Sequence, residues 1–213
     1  MRIKIISLLL CIVTISSYAQ VPHESAKSTS QSKNEAIASR YISSLREGTL
    51  IVRISYGSNK KAALKVKGHT KKLIAYTQEL EYDNSLLIAA FLGKYTFSKV
   101  LFFYDKNIDK ILNREWKHLF LNTKTLKIDS TIEFNEKAPY YILGTESIYF
   151  ELQNSSSSGL VVMDKDLTYL KEPFPYYVIS MGDAGPLAKS IEFQVIKLND
   201  QFLEFYAMYG TKY

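Results

Sequence analysis

The residues best suited to chemistry lie close together in the segment "REWKH" (114–118). Within it, Glu115, Trp116 and His118 combine a carboxylate, a large aromatic face and an imidazole. Such a set could line a sugar-binding edge, with the indole packed on the ligand and the carboxylate accepting its hydroxyl groups. The alternative is a turn that leads into a strand at "HLFLN" (118–122), with Trp116 packed as a lid. The sequence favours the turn and leaves these three residues as a candidate polar and aromatic site.

Histidine is scarce elsewhere, which limits the catalytic and metal chemistry available. The chain has three histidines, His23, His69 and His118, and no two of them have the spacing of a zinc site. The motifs H-E-x-x-H and G-x-S-x-G are missing. We therefore assign no catalytic residue, no metal site and no cofactor, although Asp, Glu and His residues that converge only in the fold could still form a hydrolase site.

A second candidate site is basic, and we expect it to contact an anionic partner. It consists of Lys60, Lys61, Lys65, Lys67, Lys71 and Lys72. No acidic residue interrupts this segment, and residues 20–72 as a whole hold eleven Lys and Arg against three Glu, whereas residues 73–213 carry a net charge of −4. Such a positive cluster attracts anions, but a solvated helix face that keeps the chain soluble explains the same residues.

The basic segment does not contain a phosphate-binding loop. A P-loop requires G-x-x-x-x-G-K-[ST], because two glycines let backbone N–H groups surround the phosphate. After Gly57 the chain continues "SNKKA" without a second glycine at the required position. We interpret Gly57 as a structural turn between a strand and a helix.

Residues 1–19 have the pattern of a secretory signal peptide. Two cations precede an apolar run (5–15), and Ser17 and Ala19 supply the small side chains that signal peptidase needs. The run is shorter than the ~20 apolar residues of a membrane span, so we expect an exported product, periplasmic or secreted, without a transmembrane span. Because the single cysteine, Cys11, lies inside the run, we expect neither lipidation nor disulfides in the mature chain.

Beyond the signal peptide, the sequence predicts a flexible leader and one domain. Residues 20–33 are polar and serine-rich, and residues 34–213 are long enough for a single sizeable core. Asn34 is a suitable N-cap for a first helix that Gly48 ends. The β-branched segment "TLIVRIS" (49–55) then predicts a strand.

The following segments predict a βαβ unit. Residues 60–92 have helical propensity with a break at "GHT" (68–70), and "NIDKILN" (107–113) fits a helical turn. The segment "SKVLFFYD" (98–105) reads as a strand that is apolar on both faces and therefore interior to a sheet. Strand, helix and strand in this order form a right-handed crossover. Residues 124–152 have no firm assignment.

The C-terminal part predicts a β-hairpin and a long helix. "QNSSSSG" (153–159) has the composition of a loop, "GLVVMD" (159–164) that of a strand, and "LTYL" (167–170) that of its return strand. Any later strand must follow Pro175, because proline offers no N–H to a ladder. The last helix opens at "GP" (185–186) and has an apolar stripe that favours packing on the domain's own sheet over a coiled coil. The stripe comprises Ile191, Val195, Leu198, Phe202, Phe205 and Tyr209.

The predicted fold class is α/β, a single domain with a mixed sheet, an N-terminal βαβ unit, a C-terminal β-hairpin and a long terminal helix. The segments "LREGTLIVRI", "KVLFFYD" and "GLVVMDKDLTYLKEPFPYY" together resemble an uncharacterised family of exported Bacteroidetes proteins, and the signal end "SYAQ" looks like that group's signals. This resemblance covers most of the mature chain and implies export, without catalytic residues. The order of elements is also similar to thioredoxin-like folds, but Cys-x-x-Cys is absent and no redox function is implied.

Two functional hypotheses follow. The favoured one is a non-catalytic binding or envelope-associated protein that uses the basic segment, or the aromatic segments "APYY" and "PFPYY", for contact. Its partner would be an unknown protein, a glycan or an anionic envelope surface. Export argues against nucleic acid as the partner. The alternative is a secreted hydrolase. A deep pocket that holds His69 or His118 beside a carboxylate would favour the hydrolase. The sequence is compatible with a monomer or a dimer.

Export makes a direct prediction about the N-terminus. Protein isolated from its natural host should begin at Gln20, because Ala19 is the small residue that precedes the cut. Intact-mass measurement and N-terminal sequencing check this. A natural product that still carries Met1 would contradict the prediction.

Overall fold

The computed structural model describes residues 24–150, 154–180 and 187–210. The predicted signal peptide and the predicted opening of the last helix at residues 185–186 lie outside these ranges. Within them, every helix falls short of the combined length and apolarity that crossing a membrane demands.

The described residues form an α/β domain with a mixed sheet, as the sequence predicts. It has five α-helices and one five-stranded sheet. The helices are α1 (Glu24–Glu47), α2 (Ser58–Val66), α3 (Thr70–Lys94), α4 (Ile108–Leu112) and α5 (Leu187–Tyr209). The strands are β1 (Thr49–Ile54), β2 (Lys99–Tyr104), β3 (Tyr140–Phe150), β4 (Ser155–Met163) and β5 (Tyr177–Ile179). A single 3-10 turn, Asp105–Asn107, joins β2 to α4.

The sheet has the order β2-β1-β3-β4-β5. Strand β1 is parallel to both of its neighbours, with Thr49 opposite Lys99 of β2 and opposite Tyr140 of β3. The β3–β4 and β4–β5 pairs are antiparallel. The strand order therefore reverses around β1: the chain leaves β1 for β2 on one side and returns to β3 on the other.

The sheet is covered on both faces, because successive side chains of a strand point in opposite directions. In β1, Leu50, Val52 and Ile54 belong to the cluster formed with α1, α3 and α5. Ile51 belongs to the cluster formed with α4 and the segment 116–134. The two outgoing connections of β1 and β2 thus lie on opposite faces of the sheet.

The apolar stripe of α5 packs within the domain, which confirms the prediction made for it. Val195, Leu198, Phe202 and Phe205 are all buried in the cluster on the α1, α3 and α5 face. Phe202 is fully buried and contacts the rings of Tyr95, Phe97 and Phe174.

Strand β2 is an edge strand, so its predicted interior position is wrong. Its two-faced apolar pattern arises because α3 covers one face while Leu119 and Phe120 cover the other. Beyond its outer edge, the N–H group of Leu121 donates to the carbonyl of Phe102 at 3.0 Å, so a loop takes the place of a neighbouring strand. The segment "HLFLN" is likewise not a strand, since Leu121 forms only an isolated bridge.

The hairpin differs from its predicted form at both ends. Ser155–Ser158 do not form a loop; they begin β4 and pair with residues 147–150 of β3, where polar side chains suit an exposed part of the sheet. The predicted return strand "LTYL" is reduced to one isolated antiparallel bridge, between Tyr169 and Met163. Before it, the Asp164 carboxylate accepts the N–H groups of Asp166 and Thr168 and bends the chain into a turn. Strand β5 follows Pro175, as predicted.

Helix α1 begins ten residues before Asn34, the predicted N-cap. It already includes residues 24–33, so the prediction that these residues belong to a flexible leader is wrong. This stretch is polar but contains neither glycine nor proline, so nothing in it interrupts the helical backbone. Gly48 directly follows the end of the helix, and Gly68 lies between α2 and α3, both as predicted.

The central position of Phe202 predicts a large effect on stability. Phe202→Ala should lower the free energy of unfolding by about 3–5 kcal/mol, since a fully buried ring is replaced by a cavity. Leu203→Ala, one residue further on an exposed part of α5, is the matched control and should change it by less than ~1 kcal/mol. Urea unfolding followed by circular dichroism measures both, and equal losses would contradict the packing described.

Candidate functional site

A cavity of about 740 Å³ opens beyond the carboxyl end of β1. Its floor includes Ile54 and Ser55, its wall on α3 includes Leu80 and Leu87, and Ile191 of α5 lies across from them. Ligands of open α/β sheets bind beyond the carboxyl ends of strands, where the strand order reverses. The cavity occupies that position in this sheet, and its volume is in the range usual for small-molecule sites.

Hydrogen bonds from both sides fix the chain where β1 ends. The carboxylate of Asp105, directly after β2, accepts the backbone N–H of Tyr56 at 2.9 Å and lies 3.4 Å from the hydroxyl of Ser55. The side-chain amide of Asn84 on α3 donates to the Ser55 carbonyl at 2.8 Å. Asp105 and Asn84 therefore meet at Ser55, and both line the cavity.

The charged side chains around the cavity are mainly acidic. Asp83 and Asp105 both line it. Burial, and secondarily the neighbouring Glu79 carboxylate, raise the pKa of Asp83 above its ordinary value. Arg53 also borders the cavity, but strand alternation directs its side chain to the opposite face of the sheet, where its guanidinium forms an ion pair with Glu146.

Next to the cavity, α2 and the first half of α3 form a basic hairpin (residues 58–78). Helix α2 has no buried residue and packs against α3, and the buried residues of α3 all lie at Asn84 or later. The structure thus brings the six lysines predicted from the sequence into one structural unit. They are Lys60, Lys61, Lys65, Lys67, Lys71 and Lys72; all are exposed except Lys61, which is partly buried.

The base of the basic hairpin is held by aromatic contacts. The ammonium of Lys60 lies 4.0 Å from the ring centroid of Tyr76, and that of Lys61 lies 4.2 Å from the centroid of Tyr56. Gly57 has a left-handed backbone with φ of 69°, and a β-carbon there would lie 2.5 Å from the Tyr76 hydroxyl. The turn at Gly57 is thus structural, as predicted, and its glycine permits the close packing of Tyr76.

The outer end of the basic hairpin carries exposed apolar side chains. Val66 is 88% exposed and Ile74 is 53% exposed. They flank the turn at residues 67–69 between α2 and α3, so lysines and aliphatic groups share this end of the hairpin.

The residues Glu115, Trp116 and His118 do not converge on a cavity. Glu115 and His118 are exposed, whereas Trp116 packs with its ring centroid 4.4 Å from that of Phe134 and 5.1 Å from that of Tyr140. The structure favours the alternative in which Trp116 is a lid over the apolar cluster on the α4 face.

Neither histidine proposed for hydrolysis is near the large cavity. No histidine of the described residues lines it. His69 occupies the N-cap position of α3, in a shallow depression at the end of the basic hairpin. His118 has its carbonyl 3.5 Å from the ammonium of Lys110. Within the described part of the chain, no group of three His, Cys, Asp or Glu residues could hold a metal ion.

The sequence alone did not identify the residues that line the cavity. Asp105 carried a usable signal, because it directly follows a predicted strand, where parallel sheets place ligand-binding residues. Asn84 and Gln194 carried none. Each is a polar residue in an amphipathic helix, and only tertiary packing buries it.

Two glycines with the same backbone conformation allow a test of how the basic hairpin is anchored. Gly57 and Gly68 have φ of 69° and 66°, but a β-carbon at Gly68 would meet no atom within 4 Å. Gly68→Ala should cost about 1–2 kcal/mol of strain. Gly57→Ala should cost ~1–3 kcal/mol more, because it also displaces Tyr76. Urea unfolding compares them, and equal losses would show that Tyr76 does not anchor the hairpin.

Comparison with known proteins gives no match to this chain. No protein-family model matches the chain, and no curated protein or solved structure matches it either. The resemblance to exported Bacteroidetes proteins therefore stays a prediction from the sequence.

Proposed function

We propose that this chain is an exported, non-catalytic protein that attaches to an anionic membrane surface through the basic hairpin. The observation that supports this most directly is the combination, at one end of the hairpin, of exposed lysines with the exposed aliphatic side chains of Val66 and Ile74. Helices that rest on a membrane present this combination of cationic and apolar groups to the interface.

The charge changes sign along α3, directly beyond the basic hairpin. Residues 58–78 contain six lysines and no acidic residue, whereas Glu79, Glu81 and Asp83 follow directly on α3. The positive end is thus the exposed end, and the acidic groups lie toward the body of the domain. Each lysine near an anionic lipid surface contributes about 1 kcal/mol of attraction, which falls off within a Debye length.

The apolar residues favour a membrane over the other anionic partners considered. An anionic glycan would pair with the lysines but would gain little from Val66 or Ile74, whose aliphatic groups make no polar contact. A bilayer offers both headgroup charge and hydrocarbon, and burial of an aliphatic side chain contributes about 1.5–3 kcal/mol. Lipid is therefore the partner that uses all the exposed groups.

The lining of the large cavity lacks the arrangement that would have favoured the hydrolase hypothesis. The hydrolase hypothesis required a histidine beside a carboxylate in a pocket, and the carboxylates of Asp83 and Asp105 line the cavity without one among the described residues. No feature of the described residues favours hydrolysis over binding.

Vesicle co-sedimentation tests the proposal. The protein should bind vesicles of phosphatidylcholine with 30% phosphatidylglycerol and should not bind pure phosphatidylcholine, and 0.5 M salt should weaken binding because it screens the lysines. Substitution of the six hairpin lysines by Gln should abolish binding. Val66→Ser with Ile74→Ser should weaken it by about tenfold or more while leaving the salt dependence unchanged.

A matched control separates local attraction from overall charge. It replaces six exposed lysines elsewhere by Gln and should retain vesicle binding. These lysines are Lys99, Lys117, Lys124, Lys127, Lys137 and Lys165. Equal loss in both lysine variants would contradict the proposal, as would tight binding of the anionic glycan heparin that does not change when Val66 and Ile74 are replaced.

A further inference from the structure

Two buried amide side chains of the large cavity have an unused hydrogen-bond acceptor. Asn84 and Gln194 are 6% and 7% exposed. The Asn84 nitrogen donates to the Ser55 carbonyl at 2.8 Å, and the Gln194 nitrogen donates to the Ser190 carbonyl at 3.2 Å. Because a carbonyl can only accept, these bonds determine which end of each amide is the nitrogen. Within the described residues, neither amide oxygen accepts a hydrogen bond.

Both oxygens keep accessible surface. Among the described residues, the fully buried side-chain atoms without a partner are Asn107 Nδ2, Trp116 Nε1 and Gln201 Oε1, and neither amide oxygen is one of them. Here both amides line the same cavity, Asn84 on the α3 wall and Gln194 on the α5 wall. A ligand that donates hydrogen bonds would satisfy both oxygens.

The charge of the cavity indicates that the donor is cationic. Asp83 and Asp105 add two carboxylates to the amide oxygens. The neighbouring Glu79 carboxylate contributes, after burial, to the raised pKa of Asp83. Arg53, the one cationic residue among the lining residues described, pairs with Glu146 on the other face of the sheet. An ammonium group combines three donors with the opposite charge.

The ion pairs of the described residues do not include Asp83 or Asp105. The ammonium groups of Lys61 and Lys106 lie 4.2 Å and 3.4 Å from the ring centroid of Tyr56, and each takes part in a cation–π contact there.

Five of the other lining residues are apolar and suit a hydrocarbon body, and three carry hydroxyl groups. The apolar residues are Ile54, Leu80, Leu87, Leu160 and Ile191, and the hydroxyl-bearing residues are Thr145, Ser158 and Ser180. The volume of about 740 Å³ is sufficient for a small organic molecule.

We propose that this cavity binds a small primary amine. Its ammonium group lies between the carboxylates of Asp83 and Asp105, beside the amide oxygen of Asn84, and its apolar body lies against Leu80, Leu87 and Ile191. This binding site is separate from the membrane-binding end of the basic hairpin, and either one can fail without the other.

Three probes of equal chain length test whether the cavity prefers an amine: hexylamine, hexanol and hexanoate. Each is titrated into the ¹⁵N-labelled protein at pH 7, and binding is followed by NMR. Hexylamine should shift the side-chain NH₂ signals of Asn84 and Gln194 and should bind about tenfold or more tightly than hexanol, because hydrogen bonds to charged groups are the stronger ones. Hexanoate should not bind. Equal binding of hexylamine and hexanol, or preference for hexanoate, would overturn the proposal, as would the absence of shifts up to 20 mM probe.

Substitutions test the position of the ammonium group. Asp83→Asn should weaken hexylamine binding by about tenfold without changing the binding of hexanol. Asp109→Asn, an exposed carboxylate on α4 across the sheet, is the matched control and should have no effect. Ser158→Trp should block the cavity from its exposed position on β4. Equal affinities of the Asp83→Asn and Asp109→Asn variants for hexylamine would overturn the proposal, and circular dichroism verifies that each variant is folded.

The variant that lacks the six hairpin lysines separates the two proposals. It should still bind hexylamine, at least as tightly as the unsubstituted protein because the removed charges are positive, even though it no longer binds vesicles. Loss of both properties in this variant would contradict the independence of the two sites and with it the assignment of the amine to the cavity.

Discussion

The structure depends on β1, which is buried on both faces and paired on both edges. Leu50, Ile51 and Val52 have no exposed surface, and parallel neighbours occupy both edges of the strand. Burial of this kind requires covering layers on both sides of the sheet. The carboxyl end of β1 is then the place where the buried strand reaches the surface, and the cavity and the basic hairpin both begin there.

Helix α3 combines three environments in one continuous element. Its first turns carry lysines and are exposed, its middle carries Glu79 and Asp83 beside the cavity, and its last turns bury Ile88 and Phe91 in the core. The buried turns hold the helix to the sheet and so determine where its exposed part projects. Core packing at one end therefore determines the position of the charged groups at the other.

Features with a local cause could be predicted from the sequence. Gly57 and Gly68 mark the ends of helices because left-handed backbone favours glycine, and Pro175 delays β5 because it has no N–H. The six lysines are close in sequence, so two adjacent helices were enough to bring them together. The apolar spacing of α5 likewise predicted which of its residues face the core.

Features that depend on distant segments could not be predicted. The edge position of β2 follows from a loop that reaches Phe102 from more than fifteen residues away, and a strand covered on both faces has the same composition wherever it stands in the sheet. Ser155–Ser158 form a strand because β3 extends far enough to pair with them.

Both outer edges of the finished sheet are protected. On one side the N–H of Leu121 binds the Phe102 carbonyl, and on the other β5 is three residues long and preceded by Pro175. Few unpaired backbone N–H and C=O groups therefore remain at either edge. A strand from another chain, whose addition is the first step of amyloid-like assembly, has little to pair with there.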